Sequence, residues 1–180
     1  MQKNFILITL SILLLSSCSI ARFVGYYASA GSDDGGSLNG LVYKTDDTSY
    51  KIGALPSDWK RIGIKGGDLA FSNAVKDATI TVNSTCDPKK KNYSLKALSE
   101  SLIIGIKDKE AQTREETTVD GQKALQSLYT GTLNGVPVSI ETVVFRKGDC
   151  IYDFTYASPQ DSFESDIAVF DEFISEFRVL

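Results

Sequence analysis

Hydrophobic and polar positions follow three different patterns along this chain, and each pattern marks a kind of element. Ala78 to Cys86 alternates, with Ile80, Val82 and Ser84 set against Thr79, Thr81 and Asn83. Period two predicts a strand with one buried face. Upstream, the segments LVYK and SYKIG flank the polar turn Thr45-Asp46-Asp47-Thr48 and read as a hairpin. Pro56 marks a turn before Trp59, and a strand follows to Ile64. LAFS is a short strand between turns at Gly66-Gly67-Asp68 and Asn73 to Asp77. Downstream come Thr113–Val119, Ala124–Leu133, Val136–Arg146 and Cys150–Ala157, separated by Asp120-Gly121, Asn134-Gly135 and Lys147-Gly148. Asp-Gly and Asn-Gly favour the positive φ that primed hairpin turns require. Consecutive strands joined this tightly are antiparallel, because parallel partners need long crossovers.

The second pattern is helical. Leu95, Leu98, Leu102 and Ile103 recur on one helical face, Ser94 stands at the N-cap position, and Gly105 is a natural stop. Phe163, Ile167, Phe170, Ile174 and Phe177 step by four, three, four and three residues, with Phe173 beside them. Such a stripe predicts a terminal helix packed on a large apolar surface, which the meander supplies. Asp161, three residues before Glu164, has the spacing of a capping box at its start.

The third pattern is a continuous apolar run, Phe5 to Leu15, broken only by Thr9 and Ser11. A membrane-spanning helix needs about 20 apolar residues, so this run is too short to span. It has the length of a signal-peptide core, with Lys3 before it and the small residues Ser16 and Ser17 after it. Leu15-Ser16-Ser17-Cys18 resembles the lipobox of bacterial lipoproteins. That resemblance implies cleavage before Cys18 and acylation of Cys18 as the first mature residue. Ser19, where family members kept at the inner membrane tend to carry Asp, implies the periplasmic face of the outer membrane.

Three segments follow: a signal peptide at 1–17, the lipidated Cys18 and a flexible tether at 18–40, and one globular domain at 41–180. The tether span is rich in Gly, Ser, Ala and Asp from Gly25 to Gly40, a composition too poor in apolar surface to fold. The whole chain carries a formal net charge of −4, and removing Lys3 makes the mature protein more negative. A mildly acidic chain is a poor binder of nucleic acid. With Cys18 set aside, Cys86 and Cys150 remain. An exported compartment permits a bond between them, and two buried free thiols are the plainer alternative.

The chain contains no histidine. That removes Ser-His-Asp and Cys-His nucleophilic sites and leaves zinc only two available cysteines plus carboxylates. No phosphate-binding glycine loop or nucleophile elbow is present, so no cofactor is expected. Glu115, Glu116 and Asp120 offer carboxylates, but beside turns, where solvated charge is the ordinary reading. Lys89, Lys90 and Lys91 form a basic loop, and with Trp59 they are the candidates for a partner-binding surface.

The order of elements resembles the PsbP-like superfamily, which includes DcrB-like envelope lipoproteins and Ran-release factors. The resemblance rests on Leu55-Pro56-Ser57-Asp58-Trp59, the strand Ala78 to Cys86, the helix from Leu95 to Ile103, and Phe170, Phe173, Ile174 and Phe177. It runs from Leu41 to the end. It implies an α+β fold: an α/β/α sandwich with a central antiparallel sheet, an N-terminal hairpin, a middle helix and a C-terminal amphipathic helix. Most members bind proteins or assist assemblies, and those that bind metal through histidine have no counterpart here. The expectation is a non-enzymatic accessory protein, anchored to the membrane by acyl chains and bound to another envelope protein. The alternatives are a carrier of small apolar ligands in a sheet–helix pocket and a carboxylate-dependent hydrolase.

Overall fold

Two turns in the C-terminal half place both central residues at positive φ: Asp120 at 49° with Gly121 at 73°, and Asn134 at 52° with Gly135 at 86°. Their handedness matches the twist of the flanking strands, so each closes a two-residue hairpin. The computed structural model describes residues 36–64, 66–90 and 92–180. The predicted signal segment, Cys18, most of the predicted tether and Lys91 lie outside them.

The two turns join β7 (Lys107–Val119), β8 (Gln122–Leu133) and β9 (Val136–Lys147), and a turn at Gly148 leads to β10 (Cys150–Pro159). Strand β10 then pairs with β6 (Ala78–Thr85), which carries β5 (Leu69–Asn73) and β4 (Lys60–Ile62) beside it. The result is a seven-stranded sheet in the order β4-β5-β6-β10-β9-β8-β7, antiparallel throughout.

Strand β7 is longer than its apolar pattern predicts. Its first half, KDKEAQ, is exposed on both faces at the sheet edge, so burial never imposed an alternation there. The ladder to β8 shifts register between Lys107 and Glu110 and again between Ala111 and Thr113. Charges and bulges of this kind keep an edge strand from pairing with other chains.

The two sheet faces are covered differently. On one face, Leu98 of α1 (Leu95–Ser101) packs against Val144 and Ile151. The Ser94 hydroxyl caps this helix by accepting from the Ala97 amide at 3.1 Å. The helix ends before Ile103, which joins Tyr129, Leu133, Val138 and Ile140 in a neighbouring apolar cluster.

The opposite face receives α2 (Ile167–Ser175). Phe170, Phe173 and Phe177 are fully buried there. Phe177 meets Phe154 edge-on at 4.8 Å between ring centres, and Phe145 and Tyr152 at 5.8 and 5.7 Å. The capping box expected at Asp161 and Glu164 does not start this helix. Phe163–Ser165 forms a single 3-10 turn, and α2 begins after Asp166, whose side chain makes no capping bond.

Beyond α2 the chain returns as β11 (Arg178–Val179), beside β3 (Ser49–Lys51), β2 (Val42–Lys44) and β1 (Ser37–Asn39) in a second, four-stranded sheet. Strand β1 lies in the span read as tether. Tyr50 of β3 packs 5.1 Å from Phe177, so this small sheet closes the same side of the core as α2. Gly53 lets the chain cross α2 closely: a Cβ there would sit 2.4 Å from the Phe173 carbonyl oxygen. The architecture is an α+β sandwich of two antiparallel sheets and, among the described residues, two α-helices.

Candidate functional site

The sequence singled out Trp59 as a partner surface, and the structure corrects this. Trp59 is 6% exposed and belongs to the main core with Leu69, Phe71 and Phe173. The Pro56 turn that precedes it brings the indole inward: the Trp59 amide donates to the Pro56 carbonyl at 3.0 Å. Lys89 is exposed on a 3-10 turn, Pro88–Lys90, which the Asp87 carboxylate caps at the Lys89 amide, 2.9 Å away. Lys90 is half-buried and lies close enough to Asp153 to attract its carboxylate. These two lysines are therefore not equivalent solvated charges.

Cys86 and Cys150 are joined by a disulfide with Cα atoms 4.1 Å apart. The register explains the meeting: Ile151 pairs with Thr85, so the next rung of the same ladder sets Cys150 opposite Cys86. The carboxylates Glu115, Glu116 and Asp120 do not form a converging set. Glu115 and Glu116 are successive exposed residues of β7 and point to opposite faces. Asp120 is engaged: it accepts from Lys147 Nζ at 2.6 Å and from the Val179 amide at 3.0 Å. Partial burial pushes its carboxyl up, but those bonds and the nearby Arg178 outweigh burial and hold it below the usual range.

A buried polar chain crosses the sheet where no motif pointed. Asn83 donates from Nδ2 to Asp153 Oδ1 at 2.8 Å and accepts at Oδ1 from the Asp68 amide at 3.2 Å. Asp68 Oδ2 accepts from the Tyr50 hydroxyl at 2.9 Å and from the Ser84 hydroxyl at 2.5 Å. Asp153 is 8% exposed. Burial pushes its carboxyl up to about 6, and the Asp68 charge adds to this while Asn83 and Lys90 oppose it. Burial and Asp68 also hold the Tyr50 phenol far above its ordinary range. The sequence signal was an acid at an inward position between Tyr152 and Phe154, in a strand otherwise apolar or hydroxylic. These groups bond to one another, which suits a structural tie between the two sheets better than catalysis. A second buried acid, Glu141, is also pushed up by burial, with Asp171 and Glu164 adding to the effect and its bond from Gln126 opposing it.

At the other end of the sheet lies an open cleft of about 640 Å³. Three segments build it: the β5–β6 turn, the start of β9 and the exit of β10. Val75, Val136, Pro137 and Pro159 make its apolar walls. Lys76, Asp77 and Asp161 bring charge. Backbone bonds hold the walls in place, with the Gln160 amide donating to the Pro137 carbonyl at 3.2 Å. The Ser162 hydroxyl reaches the Lys76 carbonyl at 3.5 Å. Lys76 pairs with the buried Asp166 carboxylate. Sequence reading missed this cleft because its walls come from three separate segments spread over more than 80 positions of the chain. The available hint was Val75, an apolar residue inside a predicted turn. By contrast, the space between α2 and the sheet is filled by aromatic rings, with Phe173 6.1 Å from Phe71 and Phe170 5.6 Å from Tyr156.

The sequence matches no family model and no curated protein. Solved structures do match. The fold is similar to cyanobacterial PsbP (CyanoP) from Synechocystis, with a TM-score of 0.59 and 17% identity over 81% of this chain and 98% of that one. It is also similar to LpqN of Mycobacterium tuberculosis, a protein involved in cell envelope biogenesis, with a TM-score of 0.57 and 12% identity. That match covers 86% of this chain and 94% of LpqN. The domain therefore has a PsbP-like α+β sandwich fold.

Proposed function

We propose that this chain is a lipid-anchored, non-enzymatic accessory protein of the bacterial cell envelope, attached at Cys18 and acting by binding another envelope protein. The observation that carries the reading is the run Phe5 to Leu15 followed by Leu15-Ser16-Ser17-Cys18, ahead of a domain with the PsbP-like fold. The structural likeness to LpqN, an envelope-biogenesis protein, supports an envelope setting. The absence of histidine from the sequence supports a binding role over nucleophilic or general acid–base catalysis.

The mechanism would be confinement. Several acyl chains hold a protein at a membrane far more firmly than the marginal binding of one. A tether from Cys18 to the first strand keeps the domain near that surface and raises its effective concentration for membrane components. The residue Ser19 supports the outer membrane as the site of attachment.

Metabolic labelling with a fatty-acid analogue, combined with detergent phase partitioning, tests the anchor. The wild type should label and enter the detergent phase. Cys18→Ser should do neither. A wild type that takes no label, or a Cys18→Ser variant that still partitions as a membrane protein, would overturn the reading.

A further inference from the structure

The cleft at the sheet end has a chemical character that specifies an occupant. Its walls come from three segments tied to one another, the start of β9 to the exit of β10 by the Gln160–Pro137 main-chain bond and that exit to the β5–β6 turn by the Ser162 hydroxyl, so it is present before anything binds. Its apolar surface is presented to water: Val75 is 89% exposed, and Pro137 is exposed beside it. A single exposed valine is ordinary, but here it stands on the rim of a concave site with Val136, Pro137 and Pro159.

The charges are unbalanced. Among the described residues Lys76 is the only cation on the lining, and it is spent on Asp166, a nearly fully buried acid. Asp77 and Asp161 are left with no ion pair to any described residue. Asp77 is half-buried, and its backbone is held at φ 52°, so its carboxylate is carried on a constrained turn. The site is therefore an apolar concavity with two uncompensated carboxylates at its edge.

We propose that this cleft docks a short extended segment of a partner protein, one that carries a lysine or arginine next to an aliphatic side chain. The cation lies between Asp77 and Asp161, and the aliphatic group covers Val75, Pro137 and Pro159. A cleft of this volume is in the range of ordinary ligand sites and accommodates a few residues. Rim charges of this kind select the partner and speed encounter, while the buried apolar contact supplies affinity. This assignment rests on the reading of the chain as a binding protein, and it names the chemistry of the partner and the surface that receives it.

The test uses the full chain in detergent and fluorescein-labelled heptapeptides, read by anisotropy. One set carries Leu-Lys-Val or Leu-Arg-Val at its centre, and matched sets carry Gln or Glu in place of the cation. The expected result is binding of the cationic set, weakened by added salt, and none of the Glu set. Asp77→Asn with Asp161→Asn should weaken binding about tenfold, the effect of losing roughly 1.4 kcal/mol. Asparagine tolerates positive φ at least as well as aspartate, so the fold should be kept and an unchanged thermal melt checks this. Val75→Ser should weaken cationic and neutral peptides alike.

Equal binding of the Gln set would make the cleft an apolar-ligand site and overturn the charge assignment. Cationic binding that survives the double Asn variant would place it elsewhere on the molecule. No binding by any peptide overturns the proposal. Acylation at Cys18 is read separately, so the anchor and the cleft stand or fall on different results.

Discussion

Asp153 makes the stability of this domain depend on pH in a direction opposite to most carboxylates. Its folded-state pKa is about 6, against an ordinary 3.8. The folded protein thus holds this proton more tightly than the unfolded chain does. Stability from this group is complete below about pH 4, falls as pH rises from 4 to 6, and then stays level. Two units at 1.36 kcal/mol each set the cost at up to about 3 kcal/mol at neutral pH. The groups facing the carboxyl account for its balance: burial and Asp68 raise it, while Asn83 and Lys90 oppose them. Asp153→Asn keeps an acceptor oxygen for Asn83 Nδ2 and removes the charge. Urea unfolding of both proteins between pH 4 and pH 8 measures the effect. At pH 4 the variant should be nearly as stable as the wild type, and at pH 7.5 more stable by up to about 3 kcal/mol. The difference between the two proteins cancels titration at Glu141 and other carboxylates that do not interact with Asp153. A gap that stays constant from pH 4 to pH 8 would refute the reasoning, because Asp153 would then not titrate in this range.

Other parts of the fold make separate predictions. Phe177→Ala removes a ring that touches Tyr50, Phe145, Tyr152 and Phe154, and should cost about 3–5 kcal/mol in denaturant unfolding. A loss below about 1 kcal/mol would contradict its place at the centre of the core. Replacing Cys86 and Cys150 together by serine frees a loop whose ends are 64 residues apart, and on the chain-entropy account should cost about 4 kcal/mol. The wild type treated with reductant should unfold like this double variant; a wild type unmoved by reductant would show that the loop closure adds nothing.

Local chemistry carried much of the fold into the sequence. Asp120-Gly121 and Asn134-Gly135 announced their hairpins because few residue pairs adopt positive φ cheaply. Ser94 announced α1 because its hydroxyl satisfies a free amide of the first turn. The phenylalanine stripe of α2 announced its buried face because helical spacing set those rings on one side. Features without such a local cause were not legible. The first half of β7 is polar on both faces, so its strand state comes from pairing with β8 alone. Strand β11 is two residues long and exists because β3 is beside it. The start of α2 depended on where the chain had to turn under Phe163, which displaced the expected cap at Asp161.

The possible sites divide in the same way. The chemistry around Cys18 is a matter of consecutive residues, so the sequence alone could raise it. Whether Cys86 and Cys150 met depended on the register of β6 against β10, a contact between distant segments. The burial of Trp59, the raised pKa of Asp153 and the carboxylates around Val75 belong to the same class. Each is decided by which distant segment packs against it, and a hydrophobic pattern records only that a residue is to be buried. It does not record what will lie opposite. The sequence by itself determined the hairpins of the meander, the strand β6 and the inward faces of the two helices, because turn geometry and side-chain period are local. Tertiary structure decided the neighbours, because burial, charge and concavity arise only when separate segments meet.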